Sequence, residues 1–272
     1  FLPGQYVALG LNNCDEPDKG GVRRSMSIAS APEQDGLLQF FIRWVKHPAS
    51  DNPLTHLLWK ASEGDRIFAT RKPVGKFTFL DTMGEEDPRT KLLVAAGTGL
   101  APFLSMTRSR KLRDDSADMS DLILLHGASY PADLVFRDEL EGYAKNNGLH
   151  YFPTVSRPHE VEGWEGYGGR AEAFFEPERF DELQSKVGME LTPHNSGILI
   201  CGLTGTCTKT LLEMIPRGYV PFDRKIRNAL EVPKEQGAGI WWEQYDTDPV
   251  IDLQDEALVA RLSQALVDNA PK

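Results

Sequence analysis

The sequence predicts an antiparallel β-barrel followed by an α/β domain with a doubly wound parallel sheet. Three observations predict it. Up to about residue 82, short apolar stretches alternate with turn residues. After the polar, glycine-bearing segment Asp81 to Thr90, the rhythm changes to strands alternating with helices. The first strand of that second region runs straight into a Gly-x-Gly loop and a helix, "LLVAAGTGLAPFLS" (Leu92 to Ser105).

Taken in order, Gln5–Leu11 and Ser25–Ser30 read as strands, as does Leu37–Val45 with its aromatic and β-branched residues. Pro53–Ala61 reads as a short helix opening at Pro53, and Asp65–Thr70 as a further strand. Such a series suits a small barrel or sandwich. Beyond it come strand Lys91–Gly97 and helix Ala101–Leu112, then strand Asp121–Ser129 and helix Asp133–Asn147. Strand His150–Ser156 follows, then a helix from about Pro177, strand Gly197–Gly202 and helix Gly205–Ile215. The domains expected are 1–86 for the barrel, 87–246 for the α/β domain and 247–272 for a helical tail. Leu258, Leu262 and Leu266 share one face of that tail, which predicts an amphipathic helix docked on the body.

Composition narrows the class. The chain has 272 residues, 40% of them apolar and 26% charged, so neither disorder nor a fibrous fold enters. No apolar run reaches the roughly 18 residues of a membrane span, and the opening "FLPGQYVALGL" reads as no cleavable leader. The expectation is a soluble, cytoplasmic protein with no membrane partner. Three scattered cysteines make no disulfide framework, iron–sulfur motif or zinc spacing, so no metal is expected and redox chemistry would need an organic cofactor. A net charge of −10 argues against nucleic acid. Positive charge is nevertheless clustered at Arg71, Lys72 and Lys76, at Arg108, Arg110, Lys111 and Arg113, and at Arg224, Lys225 and Arg227. Each cluster reads either as a solvated face or as a dock for an acidic partner.

Gly97 and Gly99 follow a buried-type strand, and Pro102 stands in a helix's first turn. Glycines let backbone amides approach a pyrophosphate, and a helix start favours negative charge. The pattern is Gly-x-Gly-x-x-Pro, which an ordinary tight turn would also satisfy. "TVSRP" places Ser156 and Arg157 at a strand end, and "GYGGRAEA" brings Arg170 after a glycine-rich loop. Two arginines and a hydroxyl suit a 2′-phosphate, although both arginines could equally be surface ion pairs. Cys201 and Gly202 end a third strand, where contact with a nicotinamide competes with a plain core role for the thiol.

The order of these pieces, "RSMSIAS", "GTGLAPF", "TVSR", "GGR", "CG" and "WWEQY", resembles the ferredoxin–NADP+ reductase family, most closely its bacterial branch. The resemblance covers nearly everything from Phe1 to Tyr245. It implies a barrel that holds FAD, a parallel domain that holds NADP(H), and hydride transfer between nicotinamide C4 and flavin N5. By the same resemblance Arg24 pairs with the FAD pyrophosphate, and Ser25, Met26 and Ser27 line the flavin, Ser27 near N5. Ile42, Arg43 and Trp44, within Phe41–Val45, lie on the strand that reads the isoalloxazine edge. Asn52–Thr55 forms the phosphate turn, with Pro53, Leu54 and Thr55 as its cofactor-binding residues, and Gly75–Phe79 closes the barrel. Thr98 sits between flavin and nicotinamide, with Gly97 and Gly99 beside it as cofactor-binding residues, and Ala128, Ser129, Ser156, Arg157 and Arg170 lie at NADP positions. Cys201 and Gly202 also contact the nucleotide, and Ser27, Cys201 and Tyr245 are the catalytic candidates.

Three departures accompany the resemblance. Met26 stands where the family has its flavin-stacking tyrosine. The chain starts where relatives have already completed a first barrel strand, which leaves either an upstream strand outside this sequence or a trimmed barrel. It also runs past Tyr245 to Lys272, a tail that would cover the flavin face, make a dimer contact or cap the sheet, the cap being the favoured expectation. The function expected is an FAD-dependent oxidoreductase between NADP(H) and a one-electron carrier, ferredoxin or flavodoxin. The alternatives are the reductase component of an oxygenase, a free-flavin reductase, and a non-catalytic nucleotide-binding protein on the same fold.

Overall fold

Val7, Leu9 and Leu11 recur with a period of two, which makes β1 (Tyr6–Asn12) a strand with one face toward apolar partners. It pairs antiparallel with β2 (Gly21–Ser27), with Leu9 opposite Arg24 and Val7 opposite Met26. Its other edge carries the short β3 (Phe68–Ala69), giving the order β2-β1-β3. Single bridges Tyr6↔Val74 and Ile28↔Phe40 extend the pairing. Leu54 and Leu58 of helix α1 (Leu54–Lys60) pack on Val7, Leu9 and Ile28, and α2 (Phe79–Thr82) is one turn. The structure is a computed structural model, and it describes residues 1–84 and 86–269.

Two expected strands are corrected. Leu37–Val45 forms no regular strand: Phe40 makes a bridge, while Phe40 and Ile42 pack against the apolar cluster around Ile28. The Trp44 ring stacks on His56 of α1 at 3.8 Å and 4°, and His56 Nε2 lies 2.7 Å from the Val45 carbonyl oxygen. Side-chain anchoring to a helix has replaced a backbone ladder, a case of packing overriding β-propensity. Asp65–Thr70 likewise shrinks to the two residues of β3.

The residues fall into two units. One comprises Phe1–Asp81 with Ala101–Asp115; the other comprises Thr82–Leu100 and the chain from Ser116 onward. Within the first unit, Ser105 Oγ donates to the Ser30 carbonyl at 2.7 Å, and Arg108 Nη1 donates to Ala29 O at 3.0 Å. These residues lie on α3 (Leu100–Arg113).

The second unit is a six-stranded parallel sheet in the order β7-β6-β5-β4-β8-β9. Its strands are β4 (Thr90–Ala96), β5 (Leu122–Ala128), β6 (His150–Val155), β7 (Tyr167–Gly168), β8 (Ser196–Gly202) and β9 (Ile240–Gln244). β5 and β8 are buried along their whole length, which explains their near-continuous apolar reading. Helices α4 (Arg137–Asn147), α5 (Pro177–Val187), α6 (Thr204–Met214) and α7 (Arg224–Ala229) connect them. Asp223 caps α7 by accepting from the amides of Lys225 and Ile226. The tail helix α8 (Glu256–Asn269) buries Leu262 and Leu266 in the same core as Ile198 and Ile240, and Ser263 Oγ donates to Leu230 O at 3.0 Å. The fold class is therefore the expected one, an antiparallel β-barrel domain with a doubly wound α/β domain, the barrel being built from short strands and single bridges.

Candidate functional site

In the parallel sheet β5, β6 and β7 lie on one side of β4, and β8 and β9 on the other. The chain thus reverses direction at the carboxyl ends of β4 and β8, where open α/β sheets leave a ligand crevice. β4 ends in a 3₁₀ turn, Gly97–Gly99, that leads into α3. Gly97 has φ +56°, a left-handed conformation that favours glycine, and a side chain there would meet open space. Gly99 is needed for a different reason: its Cβ would stand 2.0 Å from the Cys201 carbonyl oxygen. β8 ends at Cys201–Gly202 beside it.

Tyr245, just past β9, closes this group. Its amide donates to Gly202 O at 3.0 Å, and its hydroxyl donates to Thr98 O at 3.3 Å. Thr98, Cys201, Gly202 and Tyr245, from three separate segments, are thereby brought together. Burial holds the Cys201 thiol well above its usual range, with the Glu243 charge adding to that, so the group is a neutral thiol and no thiolate nucleophile. Asp246 anchors the segment by accepting from the Thr204 amide at 3.0 Å and from the Thr204 hydroxyl. Burial opposes ionisation of Asp246, yet those donors outweigh it and keep the carboxyl below its usual value.

A cavity of about 430 Å³ in the second unit is lined by Ser156, Arg170, Glu172 and Lys209 among others. Ala128 and Ser129 hold the Ser156 loop through their carbonyls, which accept from the Ser156 amide at 2.9 Å and the Arg157 amide at 3.2 Å. Arg157 does not line the cavity. Its Nη1 donates to the Tyr130 hydroxyl at 2.7 Å, and that hydroxyl donates to Glu160. Ser156 and Arg170 are therefore brought together and Arg157 is set apart. The residues missed by sequence are Lys209 and Glu172. A lone lysine on a helix reads as solvated, and "RAEAFF" gives no sign that its glutamate turns inward; only the 3₁₀ turn Ala171–Phe175 buries it.

In the first unit, register and α1 decide the candidate flavin residues. Arg24 and Met26 share the face of β2 whose neighbours Leu9 and Val7 pack on α1. Arg24 is exposed, and its Nη1 donates to Arg23 O at 2.8 Å. Met26 packs on the cluster around Val7 and Ile28, while Ser25 is exposed and Ser27 is buried opposite Tyr6. Pro53 precedes α1, Leu54 is core, and the Thr55 hydroxyl is buried without a hydrogen-bond partner. An exposed guanidinium and an unsatisfied hydroxyl on packed neighbouring elements fit a diphosphate, which accepts from both. Of the Phe41–Val45 segment, Ile42 is packed inward, whereas Arg43 and Trp44 are exposed. Among the described residues no cluster of three or more His, Cys, Asp or Glu could hold a metal ion.

Residues 93–210 match the family model described as an oxidoreductase NAD-binding domain. The chain is 34% identical over 227 residues to ferredoxin–NADP reductase B of Sorangium cellulosum, covering 83% of this chain and 82% of that protein. It is 30% identical to the ferredoxin–NADP reductase of Pseudomonas aeruginosa over 84% of this chain and 86% of the relative. The chain belongs to the ferredoxin–NADP reductase family. As a member of that family it is an oxidoreductase. A crystal structure of a ferredoxin NADP+ reductase from Neisseria gonorrhoeae superposes with a TM-score of 0.66 at 23% identity, over 90% of this chain and 87% of that one. The chain is also similar to the xylene/toluene monooxygenase electron transfer component of Pseudomonas putida, 30% identical over 64% of this chain but only 45% of that protein.

Proposed function

We propose that this ferredoxin–NADP reductase family member is an FAD-dependent oxidoreductase that exchanges electrons between NADP(H) and ferredoxin or flavodoxin. The observation that carries the reading is the meeting of Thr98, Cys201 and Tyr245 at the reversal point of the parallel sheet. Such a crevice binds the reactive end of a dinucleotide. Bound FAD would supply the conversion between two-electron and one-electron transfer, so the protein need not supply an acid–base pair.

The chain's own residues bind, orient and exclude water. Arg24 and Thr55 would hold the FAD diphosphate, with Met26 and Ser27 beside the flavin on β2. Gly97 keeps the β4–α3 loop open to the nucleotide, and the Tyr245–Thr98 hydrogen bond fixes that loop's carbonyl. Buried Cys201 presents an uncharged edge where a charged thiolate would disturb a nicotinamide. Arg170, Ser156 and Lys209 would take the 2′-phosphate of NADP(H).

The relation to an oxygenase electron-transfer component supports a second reading, in which the acceptor is an oxygenase partner. One set of mixing experiments separates these. The purified protein is expected to take up FAD, be bleached by NADPH in stopped flow, and then reoxidise on mixing with ferredoxin or flavodoxin. A colourless protein that never takes up FAD is instead a binding module and ends the reading. Bleaching by NADPH without reoxidation by either carrier moves the assignment to the oxygenase reading.

A further inference from the structure

Glu172 is a buried carboxylate with a problem. The residue is 3% exposed, and neither side-chain oxygen accepts a hydrogen bond from the protein. Arg170 Nη1 stands 4.0 Å from Oε1, too far to donate directly. A carboxylate removed from water without donors is costly, and such a group in a native fold calls for a partner. Glu172 lines the cavity together with Ser156, Arg170 and Lys209. Two further carboxylates face the same cavity: Glu176, which is exposed, and Glu213, which is paired to Arg217 at 3.4 Å.

The cavity therefore offers cations for a phosphate and, next to one of them, an acceptor that lacks a donor. In a nucleotide the donors beside a phosphate are the ribose hydroxyls. A 2′-phosphate seated on Arg170 would bring a second anion close to Oε1 and leave Glu172 without a donor. A free 2′-hydroxyl would donate to it and remove the deficit. We propose that Glu172 is a specificity-determining residue that receives a ribose hydroxyl, so that this reductase accepts NADH as well as NADPH. The proposal rests on the reading of this unit as the NADP(H) site. Arg170 and Lys209 pull toward the phosphorylated cofactor, and Glu172 pulls the other way.

Calorimetric titration of the FAD-loaded protein with 2′,5′-ADP and with 5′-AMP tests this without turnover. Glu172→Gln keeps the size and removes the charge. It is expected to tighten 2′,5′-ADP by about three- to tenfold and to weaken 5′-AMP by a similar factor. Steady-state kcat/KM for NADPH and NADH should move in the same opposite directions. Should the Gln variant fold poorly by its melting curve, Glu172→Asp, which keeps the charge but withdraws it, is expected to shift both affinities the same way by a smaller factor. Equal shifts for the two ligands, or none, in the folded variant overturn the role of Glu172 and leave the nucleotide site intact. Failure of the parent protein to bind either nucleotide overturns the site itself, and this proposal with it.

Discussion

His126 shows how one buried side chain sets a property that no surface group can. It lies in the middle of β5, fully buried, with Nδ1 2.9 Å from the Tyr151 hydroxyl and Nε2 without a partner. Burial lowers its pKa from 6.5 to about 4, because the imidazolium cannot be hydrated there. The folded value lies below the unfolded one, so between about pH 6.5 and 4 the unfolded state binds the extra proton. Stability from this group is thus full above pH 6.5 and lost as the pH falls to 4, by about 3 kcal/mol in all. Replacing His126 with Gln keeps a polar contact to Tyr151 and removes the titration. Chemical denaturation at pH 7 and at pH 4.5 is expected to show a smaller acid loss in the variant than in the parent. Identical losses would mean that His126 is already hydrated in the native state. The catalytic candidate Cys201 obeys the same physics in the opposite direction, since burial keeps its thiol neutral.

At the scale of elements, the β4–α3 turn is the part most tightly specified. Gly97 was legible in the sequence as a loop residue, and its left-handed backbone explains the choice. Gly99 was legible only as a member of the same motif, whereas its physical role is to let the turn approach the end of β8. A methyl group at Gly99 would overlap the Cys201 carbonyl, where both partners are backbone and neither can move cheaply. Gly99→Ala is expected to cost about 2–3 kcal/mol and lower the melting temperature by about 5–10 °C. Gly97→Ala puts its methyl in open space and carries instead the smaller strain of the left-handed backbone, about 1 kcal/mol. Thermal unfolding of the two variants side by side checks the ranking, and a reversed order would show that the turn can yield. The α8 helix was legible as amphipathic from Leu258, Leu262 and Leu266, but the face it covers, beside Leu230 and Gly218, was not.

Over the whole molecule, the charge clusters sort themselves once the fold is known. Arg108 is 9% exposed and its guanidinium serves the Ala29 carbonyl and Gln39, so it is structural. Arg113 is paired with Glu33, Lys111 with Asp115, and Arg227 donates to the carbonyls of Pro233 and Gln236. Arg71, Lys72 and Lys76 are exposed and, like the exposed Arg224 and Lys225, form no ion pair among the described residues; under the proposed function the first cluster is the dock to test for an acidic carrier. The rate of carrier reduction is expected to fall several-fold as the ionic strength rises from about 0.05 to 0.5 M. Arg71→Gln with Lys72→Gln should flatten that dependence while bleaching by NADPH stays unchanged. A salt dependence that survives both substitutions would place the dock elsewhere. No helix among the described residues is long and apolar enough to cross a membrane.

The sequence by itself determined the two-domain class, the parallel strands and the glycine turn, because periodicity and turn chemistry are local and act on neighbours in the chain. It also offered Arg24, Thr98, Ser156, Arg170, Cys201 and Tyr245 as separate candidates, one by one. Only the tertiary structure decided which of them meet. It joined Tyr245 to Thr98 across 147 positions, separated Arg157 from Ser156's cavity, and turned Glu172 inward beside Arg170. It also dissolved the expected strand at Leu37–Val45, where stacking of Trp44 on His56 outweighed β-propensity. Side-chain direction and long-range burial depend on what the rest of the chain brings alongside, and a linear pattern does not carry that information.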